Sequence, residues 1–351
     1  SVAASADGGY IVGGNFQSRT IELENGIILA NKGSRDGMLI KCKIKDTISS
    51  SIKYGEVIGG NGSDSITSLV ASSDGGYIVG GNFQSRTIEL ENGITLTNKG
   101  SYYEDGMIIK YNVEGKVEWA RVIGGSSRDF ITSVAVSADG GYIVGGWFSS
   151  RTIELENGIT LTNKGDDDGM IIKYSAEGKA EWAKAIGGNK DDSITSIAAS
   201  SDGGYIVGGH FSSSTVELDN GITLTSKGND DGIVLKYSAE GTVEWSKAIG
   251  GNKNDYITSV AIISDGGYIV GGYFSSTIEL DNGITLTNKG YEDGMIIKYD
   301  AEGEVEWAKA IGGSYDDSIT SVAVSSDGGY IVGGYFKSST IELGNGITLT
   351  N

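Results

Sequence analysis

Apolar and polar residues alternate over short stretches of this chain, and no stretch keeps a helical period. In the copy of the pattern at 257–313, the stretches 257–262 and 268–270 are rich in β-branched residues and are separated by Asp265-Gly266-Gly267. Short runs of Val, Ile, Thr and Tyr that end at glycine turns are typical of half-buried β-strands. The pattern therefore predicts an all-β chain.

The eight residues Asp-Gly-Gly-Tyr-Ile-Val-Gly-Gly recur six times along the chain. The 320 residues from Asp7 to Asp327 span five intervals, so the repeat averages 64 residues. We place the repeats approximately at 1–63, 64–128, 129–191, 192–254, 255–316 and 317–351, and the last of these is incomplete. A strict period favours a single repeat architecture over two or three unrelated domains.

Each repeat is predicted to hold four strands in two hairpins, with a smaller hairpin inserted between the second and third strands. In the copy at 257–313 the strands are 257–262, 268–270, 295–299 and 305–311, and the inserted hairpin turns at Asn282-Gly283. Asn-Gly between alternating runs indicates a type I′ turn, in which both turn residues have a positive φ. Four antiparallel strands per repeat predict the blades of a β-propeller, here five full blades and a half blade. A parallel β-helix has shorter coils, and tandem immunoglobulin-like domains need about 100 residues each.

The repeats share the pattern D-G-x-x-x-K-Y, then E-G-x-x-x-W-x-x-x-x-G-G, then D-x-I-T-S. Its positions are filled by Lys298, Tyr299, Gly303, Trp307, Gly312 and Gly313, and again by Lys173, Tyr174, Gly178, Trp182, Gly187 and Gly188. Over essentially the whole chain this pattern resembles the bacterial β-propeller repeat known as the SBBP repeat. The resemblance implies an exported or cell-surface protein of unassigned activity and implies no enzyme. The first repeat departs from the pattern at Lys41-Cys42-Lys43 and Tyr54, so we expect its outer strands to diverge.

The strand directions sort the connections of a repeat into two sets. The tight turns Asp265-Gly266-Gly267 and Glu302-Gly303 are expected at one end of the strands, because they join antiparallel neighbours. The inserted hairpin and the two longer loops are expected at the other end. Long loops of varied sequence are where binding usually resides, so we expect any binding surface on this loop-rich face.

Aspartate recurs at two positions that open strands on the loop-rich face, before the third strand and before the first. The copies are Asp36, Asp64, Asp105, Asp129, Asp168, Asp192, Asp231, Asp255, Asp293 and Asp317. As a binding site, paired carboxylates and loop carbonyls would hold Ca²⁺, and we give Ca²⁺ as the candidate ion for the eight from Asp105 onward. As a structural device, each Asp would accept hydrogen bonds from backbone N–H groups of a turn. The chain has no D-x-D-x-D-G motif, so the sequence favours the structural role.

The residue before the recurring Phe varies while its neighbours do not. Its copies, our candidate ligand-binding residues, are Asn15, Asn82, Trp147, His210, Tyr273 and Tyr335. Aromatic rings stack on sugars and amides bond hydroxyl groups, so these residue types suit a glycan or a peptide. The alternative is an exposed position that has drifted between copies.

Catalytic residues are not indicated by the sequence. His210 and Cys42 are each the only residue of their kind, and they lie in different repeats and different strand contexts. A Ser-His-Asp or Cys-His site would need them close together, and one histidine excludes a multi-His metal site. The recurring Phe and Trp residues are predicted to pack between blades, and the third-strand Lys to occupy a solvated edge position.

Composition limits the partners. The chain has 27 basic and 46 acidic residues, a net charge of −19, which disfavours nucleic acids and anionic membrane surfaces. No apolar run approaches 18 residues, so no membrane insertion is expected. We expect a protein or glycan partner, and a chain that is monomeric or part of a larger one. The chain lacks an initial Met, and we interpret it as a piece of a longer product.

Three functions remain open at this stage. We prefer a non-catalytic surface or secreted interaction module, located extracellularly or at the cell surface, with no cofactor apart from the candidate Ca²⁺. A structural repeat spacer in a large bacterial surface protein is the second. The third is a carboxylate-dependent lyase or hydrolase, which would need two facing acids in a pocket with one pKa raised.

Overall fold

The structure is a computed structural model of the chain. It describes residues 1–5, 8–23, 26–46, 49–100, 102–325, 327–344 and 346–351, and for 43–46, 49–51, 53 and 344 it describes the backbone alone. Asp7, the first of the six repeated turn aspartates, lies outside the described residues. The chain divides into two compact units, the first formed by 1–163 and 170–185 and the second by 164–169 and 186–351.

The first three repeats each form a four-stranded antiparallel sheet and a separate two-stranded hairpin. Their strands are β1 Val2–Ala4, β2 Tyr10–Phe16, β3 Thr20–Glu22, β4 Ile28–Ala30, β5 Asp36–Asp46, β6 Ser49–Ile58, β7 Asp64–Ala71, β8 Tyr77–Phe83, β9 Thr87–Glu89, β10 Thr95–Thr97, β11 Asp105–Tyr111, β12 Val117–Ile123, β13 Asp129–Val136, β14 Tyr142–Phe148, β15 Thr152–Glu154, β16 Thr160–Thr162, β17 Asp168–Tyr174 and β18 Ala180–Ile186. Single 3-10 turns occupy Glu91–Gly93 and Glu156–Gly158.

The later repeats follow the same plan up to the sixth, which holds a two-stranded sheet and a hairpin. Their strands are β19 Asp192–Ala199, β20 Tyr205–Phe211, β21 Thr215–Glu217, β22 Thr223–Thr225, β23 Asp231–Tyr237, β24 Val243–Ile249, β25 Asp255–Ile262, β26 Tyr268–Phe274, β27 Ile278–Glu279, β28 Thr285–Leu286, β29 Asp293–Tyr299, β30 Val305–Ile311, β31 Asp317–Val324, β32 Tyr330–Phe336, β33 Thr340–Gly344 and β34 Ile347–Thr350.

The strand order in every four-stranded sheet is first, second, third and fourth strand of the repeat. The predicted repeat unit of two hairpins with an inserted smaller hairpin is therefore confirmed. The described residues contain no helix that is long and apolar enough to cross a membrane. The number of blades in a parent protein stays a prediction.

The inserted hairpin turns differ between repeats. In the second repeat, Asn92 and Gly93 have φ values of 66° and 76°, and in the third repeat Asn157 and Gly158 have φ values of 66° and 75°. The positive φ expected at both turn positions is therefore confirmed in these two repeats. In the fourth repeat only the glycine has a positive φ. There Oδ1 of Asn220 accepts a hydrogen bond from the backbone N–H of Ile222.

Each first strand from β7 onward has a one-residue bulge, and the bulges of β7, β19 and β25 link neighbouring sheets of a unit. The bulge between Ile66 and Ser68 turns Thr67, whose hydroxyl donates to the Ile131 carbonyl of the next sheet at 2.7 Å. Thr258 makes the corresponding bond to Ile319 at 2.7 Å. A bulge re-aims one side chain while the rest of the ladder continues, so a side-chain hydroxyl of one sheet bonds a main-chain carbonyl of the next.

The core of each unit lies between neighbouring sheets. In the first unit, one buried cluster joins Ile11 and Leu39 of the first sheet to Tyr77 and Tyr111 of the second. Tyr77 and Tyr111 are cross-strand partners, and their ring centroids lie 4.8 Å apart. In the second unit the Trp245 ring packs edge-on against Tyr268 of the next sheet at 5.7 Å. Burying one such ring stabilises by roughly 2–3 kcal/mol. The predicted packing role of the Trp column agrees with this contact.

Four of the five third-strand lysines, Lys41, Lys110, Lys173 and Lys236, are buried, and Lys298 is partly buried, so their predicted solvated position is wrong. Lys110 is 1% exposed, and its Nζ lies 2.7 Å from Asp74 and 3.0 Å from Glu118. The prediction failed because the strand is central in its sheet and the lysine stem runs between apolar neighbours. The charged end reaches acids at the sheet surface, as long side chains commonly do.

Candidate functional site

The connections of the four-stranded sheets from the second repeat to the fifth divide as the sequence predicts. Tight turns with a positive-φ glycine, such as Gly266 and Gly303, join the first to the second strand and the third to the fourth. The inserted hairpin and the loops before the first and third strands lie at the other end of the sheet. Both recurring aspartates begin strands at this end, and they are buried beneath its loops.

The aspartate that opens each first strand is fully engaged by hydrogen-bond donors. Oδ2 of Asp129 accepts from the backbone N–H of Gly125 at 2.8 Å and from the Ser150 hydroxyl at 2.6 Å. Its Oδ1 accepts from the backbone N–H of Ser150 at 3.2 Å. Asp129 thus ties the preceding loop to the loop after the second strand, which is the structural role that the sequence favoured.

The aspartate that opens each third strand is engaged on one oxygen only. Oδ2 of Asp105 accepts from the backbone N–H of Lys99 at 2.5 Å, while its Oδ1 is buried without a hydrogen-bond partner. The unpartnered oxygen lies against the Cα of Gly124, and Asp105 itself is 0% exposed. A buried acceptor without a donor is costly, so its chemical state needs an explanation.

The same arrangement recurs in all five complete repeats. An equivalent unpartnered Oδ1 is present in Asp36, Asp105, Asp168, Asp231 and Asp293. Each lies near the next first-strand aspartate; a methyl group on Gly187, for example, would contact Oδ1 of Asp168 and Oδ2 of Asp192. We call each such pair, from Asp36/Asp64 to Asp293/Asp317, an aspartate pair.

Burial raises the pKa of many of these carboxyl groups. It raises the pKa of Asp105 to about 7, with the Lys99 N–H opposing and the charge of Asp129 reinforcing the shift. Burial likewise raises the pKa of Asp129 to about 6, against the hydrogen bond from Ser150. Two buried carboxyl groups side by side disfavour double ionisation. A proton on Oδ1 of Asp105 would supply the missing donor.

The donor set of an aspartate pair does not fit Ca²⁺. Ca²⁺ takes six to eight oxygen ligands, whereas three of the four oxygens in the Asp105/Asp129 pair already accept hydrogen bonds. Among the described residues, no group of three or more His, Cys, Asp or Glu side chains is arranged to hold a metal ion. The four pairs of the predicted metal set are better suited to holding a shared proton than to binding Ca²⁺. These pairs are Asp105/Asp129, Asp168/Asp192, Asp231/Asp255 and Asp293/Asp317.

The six candidate ligand-binding positions have different environments. Asn15 is exposed, whereas Asn82 is 3% exposed and its Oδ1 accepts from the Ile131 backbone N–H of the next sheet at 2.7 Å. Trp147 stacks on Phe130 of its own sheet at 4.5 Å. In the first unit, two of these residues therefore make contacts that hold the fold.

In the second unit the same positions come together in a row of rings. His210 lies 4.3 Å from Tyr256 of the next sheet, and Tyr256 stacks on its cross-strand partner Tyr273 at 5.0 Å. Tyr335 lies at the equivalent position of the sixth repeat and is 49% exposed. We call His210, Tyr256, Tyr273 and Tyr335 the aromatic row.

Acidic groups border the aromatic row. The Tyr256 hydroxyl donates to Oδ2 of Asp230 at 2.6 Å, and the Ser212 hydroxyl donates to the other oxygen of Asp230. Burial raises the pKa of Tyr273 to about 12, and the nearby Glu292 charge contributes. Burial lowers the pKa of His210 to about 4 against the Asp230 charge, so this imidazole is neutral at pH 7.

Two further tyrosines extend this surface into the loops. Tyr291 and Tyr315 are 69% and 55% exposed, and their ring centroids lie 6.4 Å apart. Together with Tyr335 they place three exposed phenol rings on the loop-rich face of the second unit, beside Glu292 and Asp316. Exposed aromatic rings that are not needed for packing are common at binding surfaces.

Sequence reasoning missed Tyr256, Asp230, Tyr291 and Tyr315. Tyr256 could have been found from strand pairing, because the residue after the first-strand aspartate faces the residue before the Phe across the hairpin. Asp230 and the loop tyrosines differ from repeat to repeat, and no periodic signal marks them. The signal that could have marked these positions is the variation of their residue type between repeats.

A polar groove of about 660 Å³ lies in the first unit. Its walls include Asn61, Gln84, Arg86, Asn98 and Tyr102, and no acidic side chain lines it. The aspartate pairs with raised pKa are buried beneath loops instead. This groove therefore does not present the pair of accessible acids that a carboxylate-dependent enzyme would need. A smaller cavity of about 350 Å³ in the same unit is lined by Glu154 and Glu156, and Oε1 of Glu156 lies 2.9 Å from Nε of Arg121.

Comparison with known proteins gives distant similarities, and no family model matches the sequence. The chain is 26% identical over 262 residues to the regulatory protein FlaEY of Caulobacter vibrioides, covering 70% of this chain and 26% of that protein. It is 25% identical over 230 residues to the uncharacterized WD repeat-containing protein L264 of Acanthamoeba polyphaga mimivirus, covering 56% and 17%. The chain thus spans about a quarter or less of these relatives.

Solved structures of low similarity include Sqt1 from Chaetomium thermophilum and the Pan2 WD40 domain of Neurospora crassa. The first has a TM-score of 0.42 at 12% identity, covering 92% of this chain and 74% of that one. The second has a TM-score of 0.38 at 12% identity, covering 93% and 83%. The description of the fold rests on the sheets themselves.

Proposed function

We propose that this chain is a non-catalytic interaction module that binds a protein or a glycan through the loop-rich face of its second unit. The observation that carries the proposal is the aromatic row with the exposed Tyr291, Tyr315 and Tyr335 beside it. Rings at a surface offer large contact area at low entropic cost, and neighbouring carboxylates accept hydrogen bonds from hydroxyl or ammonium groups.

The names of the two relatives support the same class. One is a regulatory protein and the other a WD repeat-containing protein, and neither name describes a catalysed reaction. The specific SBBP assignment and an extracellular or cell-surface location belong to this proposal as well. Surface labelling of intact cells that express the full parent protein tests the location, and labelling only after lysis would contradict it.

The experiment is a binding screen of the purified chain on printed glycan and peptide arrays. The variant Tyr291→Ala/Tyr315→Ala/Tyr335→Ala removes the three exposed rings, and Tyr102→Ala/Tyr103→Ala removes two exposed rings from the first unit as a matched control. We expect array binding that the triple variant loses and the control retains. Silence on both arrays, or equal loss in the control, would overturn the proposal.

The two alternatives make different predictions. A structural spacer would give no array signal, and removal of whole repeats from the parent would leave its binding unchanged. A carboxylate-dependent lyase or hydrolase would need an aspartate pair within reach of a substrate, whereas Asp105 and Asp129 are both 0% exposed. Burial of the pairs favours the interaction module over the enzyme.

A further inference from the structure

An ion pair recurs where the fourth strand of one repeat meets the inserted hairpin of the next, an arrangement that we call a hairpin contact. Nε of Arg121 lies 2.9 Å from Oε1 of Glu156 in the next repeat, and Nζ of Lys247 lies 2.9 Å from Oδ2 of Asp281. From the second repeat onward, this position of the fourth strand is always basic: Arg121, Lys184, Lys247 and Lys309. The described pairs thus join a base of one repeat to an acid of the next.

The first hairpin contact has an acid where the others have a base. Glu56 occupies the position of Arg121, and Glu91 occupies that of Glu156. The charge of Glu91 acts on the half-buried Glu56. Among the side chains that the structure describes, no basic group forms an ion pair with either acid. The first contact therefore brings two carboxyl groups together without the cation that its counterparts contain.

The groups beneath Glu56 also lack partners. Tyr111 is 0% exposed, and its hydroxyl is buried beside Glu56 without a hydrogen-bond partner of normal geometry. The Tyr54 hydroxyl is likewise buried without a partner. Burial raises the pKa of Glu56 to about 7, and the charge of Glu91 adds to the shift while contact with Tyr111 opposes it. Buried polar groups without partners require an explanation, and a missing cation provides one.

The second repeat shows how such a contact holds a guanidinium group. Nε of Arg121 also donates to the Gly178 carbonyl at 2.9 Å, and its Nη1 donates to the Ala120 carbonyl at 2.9 Å. The guanidinium carbon lies 5.5 Å from the centre of the Trp119 ring. The group is therefore held by one carboxylate, two main-chain carbonyls and an aromatic ring.

The first contact retains the same surroundings. Gly55 occupies the position of Ala120, and Tyr54 occupies that of Trp119. A methyl group on Gly115 would meet the Tyr54 ring, just as one on Gly178 would meet Trp119. Carbonyl groups and a ring are thus available at the equivalent places, with a second carboxyl group in addition. Only the guanidinium itself is missing.

We propose that the first hairpin contact binds the guanidinium group of an arginine side chain on a partner polypeptide, held between Glu56 and Glu91. The arginine would take the place that Arg121 fills one repeat later, and it would lie against the Tyr54 ring. A planar guanidinium with five donors suits two carboxylates and a ring better than an ammonium does. Ca²⁺ takes six to eight oxygen ligands, and the described side chains form no cluster suited to a metal ion.

The test is a titration of the full chain with the blocked peptide acetyl-Gly-Gly-Arg-Gly-Gly-amide, followed by NMR at pH 8, where Glu56 is ionised. We expect saturable one-to-one binding with a Kd on the order of 1 mM, because a single side chain supplies the contacts. A peptide with citrulline in place of arginine keeps the shape and loses the charge, so it should bind roughly tenfold more weakly or less. Absence of binding, or equal binding of the two peptides, would overturn the proposal.

Replacing Glu56 distinguishes this site from general attraction to an acidic chain. Glu56→Arg places the chain's own guanidinium in the contact, so peptide binding should disappear and Tm should rise. Glu56→Gln keeps the shape and should weaken binding roughly tenfold at a Tm near that of the wild type. Glu302→Arg makes the same change of charge at an exposed turn of the second unit and should bind normally. Undiminished binding by both Glu56 variants, or equal loss in Glu302→Arg, would refute the site.

Lys32 is the base of this chain that could compete for the contact. Its charge lowers the pKa of Glu56, as the smallest of the named influences. Lys32→Met should therefore bind the arginine peptide as well as the wild type does, or more tightly. If Lys32→Met bound the peptide and the wild type did not, Lys32 would itself be the missing cation, and the proposal would be wrong.

Discussion

Replacing Asp105 by asparagine tests whether an aspartate pair holds a proton. The carboxyl Oδ2 of Asp105 accepts the Lys99 N–H, and Oδ1 faces the Asp129 side without a donor. An asparagine can keep the acceptor toward Lys99 and place its NH₂ group where Oδ1 was. It therefore imitates the protonated acid at every pH.

The magnitude follows from the pKa. Burial raises the pKa of Asp105 from its ordinary value of 3.8 to about 7, which corresponds to about 4 kcal/mol between the two ionisation states. Between pH 3.8 and about pH 7, the folded chain holds a proton on Asp105 that the unfolded chain has released. The free energy of unfolding therefore falls as pH rises through this window. Because the pair can relax, about 4 kcal/mol is an upper value for one site.

The assay is urea unfolding of the wild type and of Asp105→Asn from pH 4 to pH 8.5. We expect similar stability near pH 4 and a more stable variant at pH 8, with a smaller pH dependence. Asp129→Asn is the control, since its oxygens accept from Gly125 and Ser150. It should lose about 1–3 kcal/mol even at pH 8, because an NH₂ group would face existing donors.

One result would refute this reasoning. If Asp105→Asn were less stable than the wild type by the same amount at pH 4 and pH 8, the native group would be an anion at both pH values. The unpartnered Oδ1 would then need a donor other than a proton shared within the pair. An unchanged pH dependence in the variant would lead to the same conclusion.

Three further outcomes follow from the structure. Gly124→Ala should lower the free energy of unfolding in urea by at least about 2 kcal/mol, because the added methyl group would clash with Oδ1 of Asp105. Gly93→Ala is the control: its methyl group meets open space, so the free energy of unfolding should fall by only about 1 kcal/mol, the cost of a positive φ. Asp139→Ala should cost more than Lys173→Met, because the first leaves a 2% exposed ammonium short of a partner and the second removes the buried charge; equal losses would contradict this account. Adding 5 mM CaCl₂ or EDTA should leave Tm within about 1 °C, and a Tm increase with Ca²⁺ would restore the metal role of the aspartate pairs.

The strands and hairpins could be predicted from the sequence because they depend on local pattern. Alternation, Asp-Gly-Gly turns and Asn-Gly turns repeat in every copy, and the repetition averages out local noise. The burial of Lys110 could not be predicted this way, since an alternating strand has the same pattern at a sheet edge and at its centre. Only the order of strands in the sheet decides between them.

The candidate site was predictable only in part. The variable position before the Phe led to His210, Tyr273 and Tyr335, yet the same position in Asn82 serves packing. The difference arises in the neighbouring sheet, where Ile131 offers a backbone N–H to Asn82 and Tyr256 offers a ring to His210. These two contacts between repeats join residues 49 and 46 positions apart in sequence, beyond the reach of any local pattern.

The bulge threonines have a consequence for how such a chain can change length. Thr67 and Thr258 donate to carbonyl groups of the following sheet, and Ser68 and Ser259 accept from its N–H groups. Every residue type except proline offers both a backbone N–H and a C=O group. A duplicated repeat can therefore form the same hydrogen bonds whatever side chains its new neighbour carries. Gene segments that encode whole repeats can accordingly be gained, lost or exchanged while the joints between them stay intact.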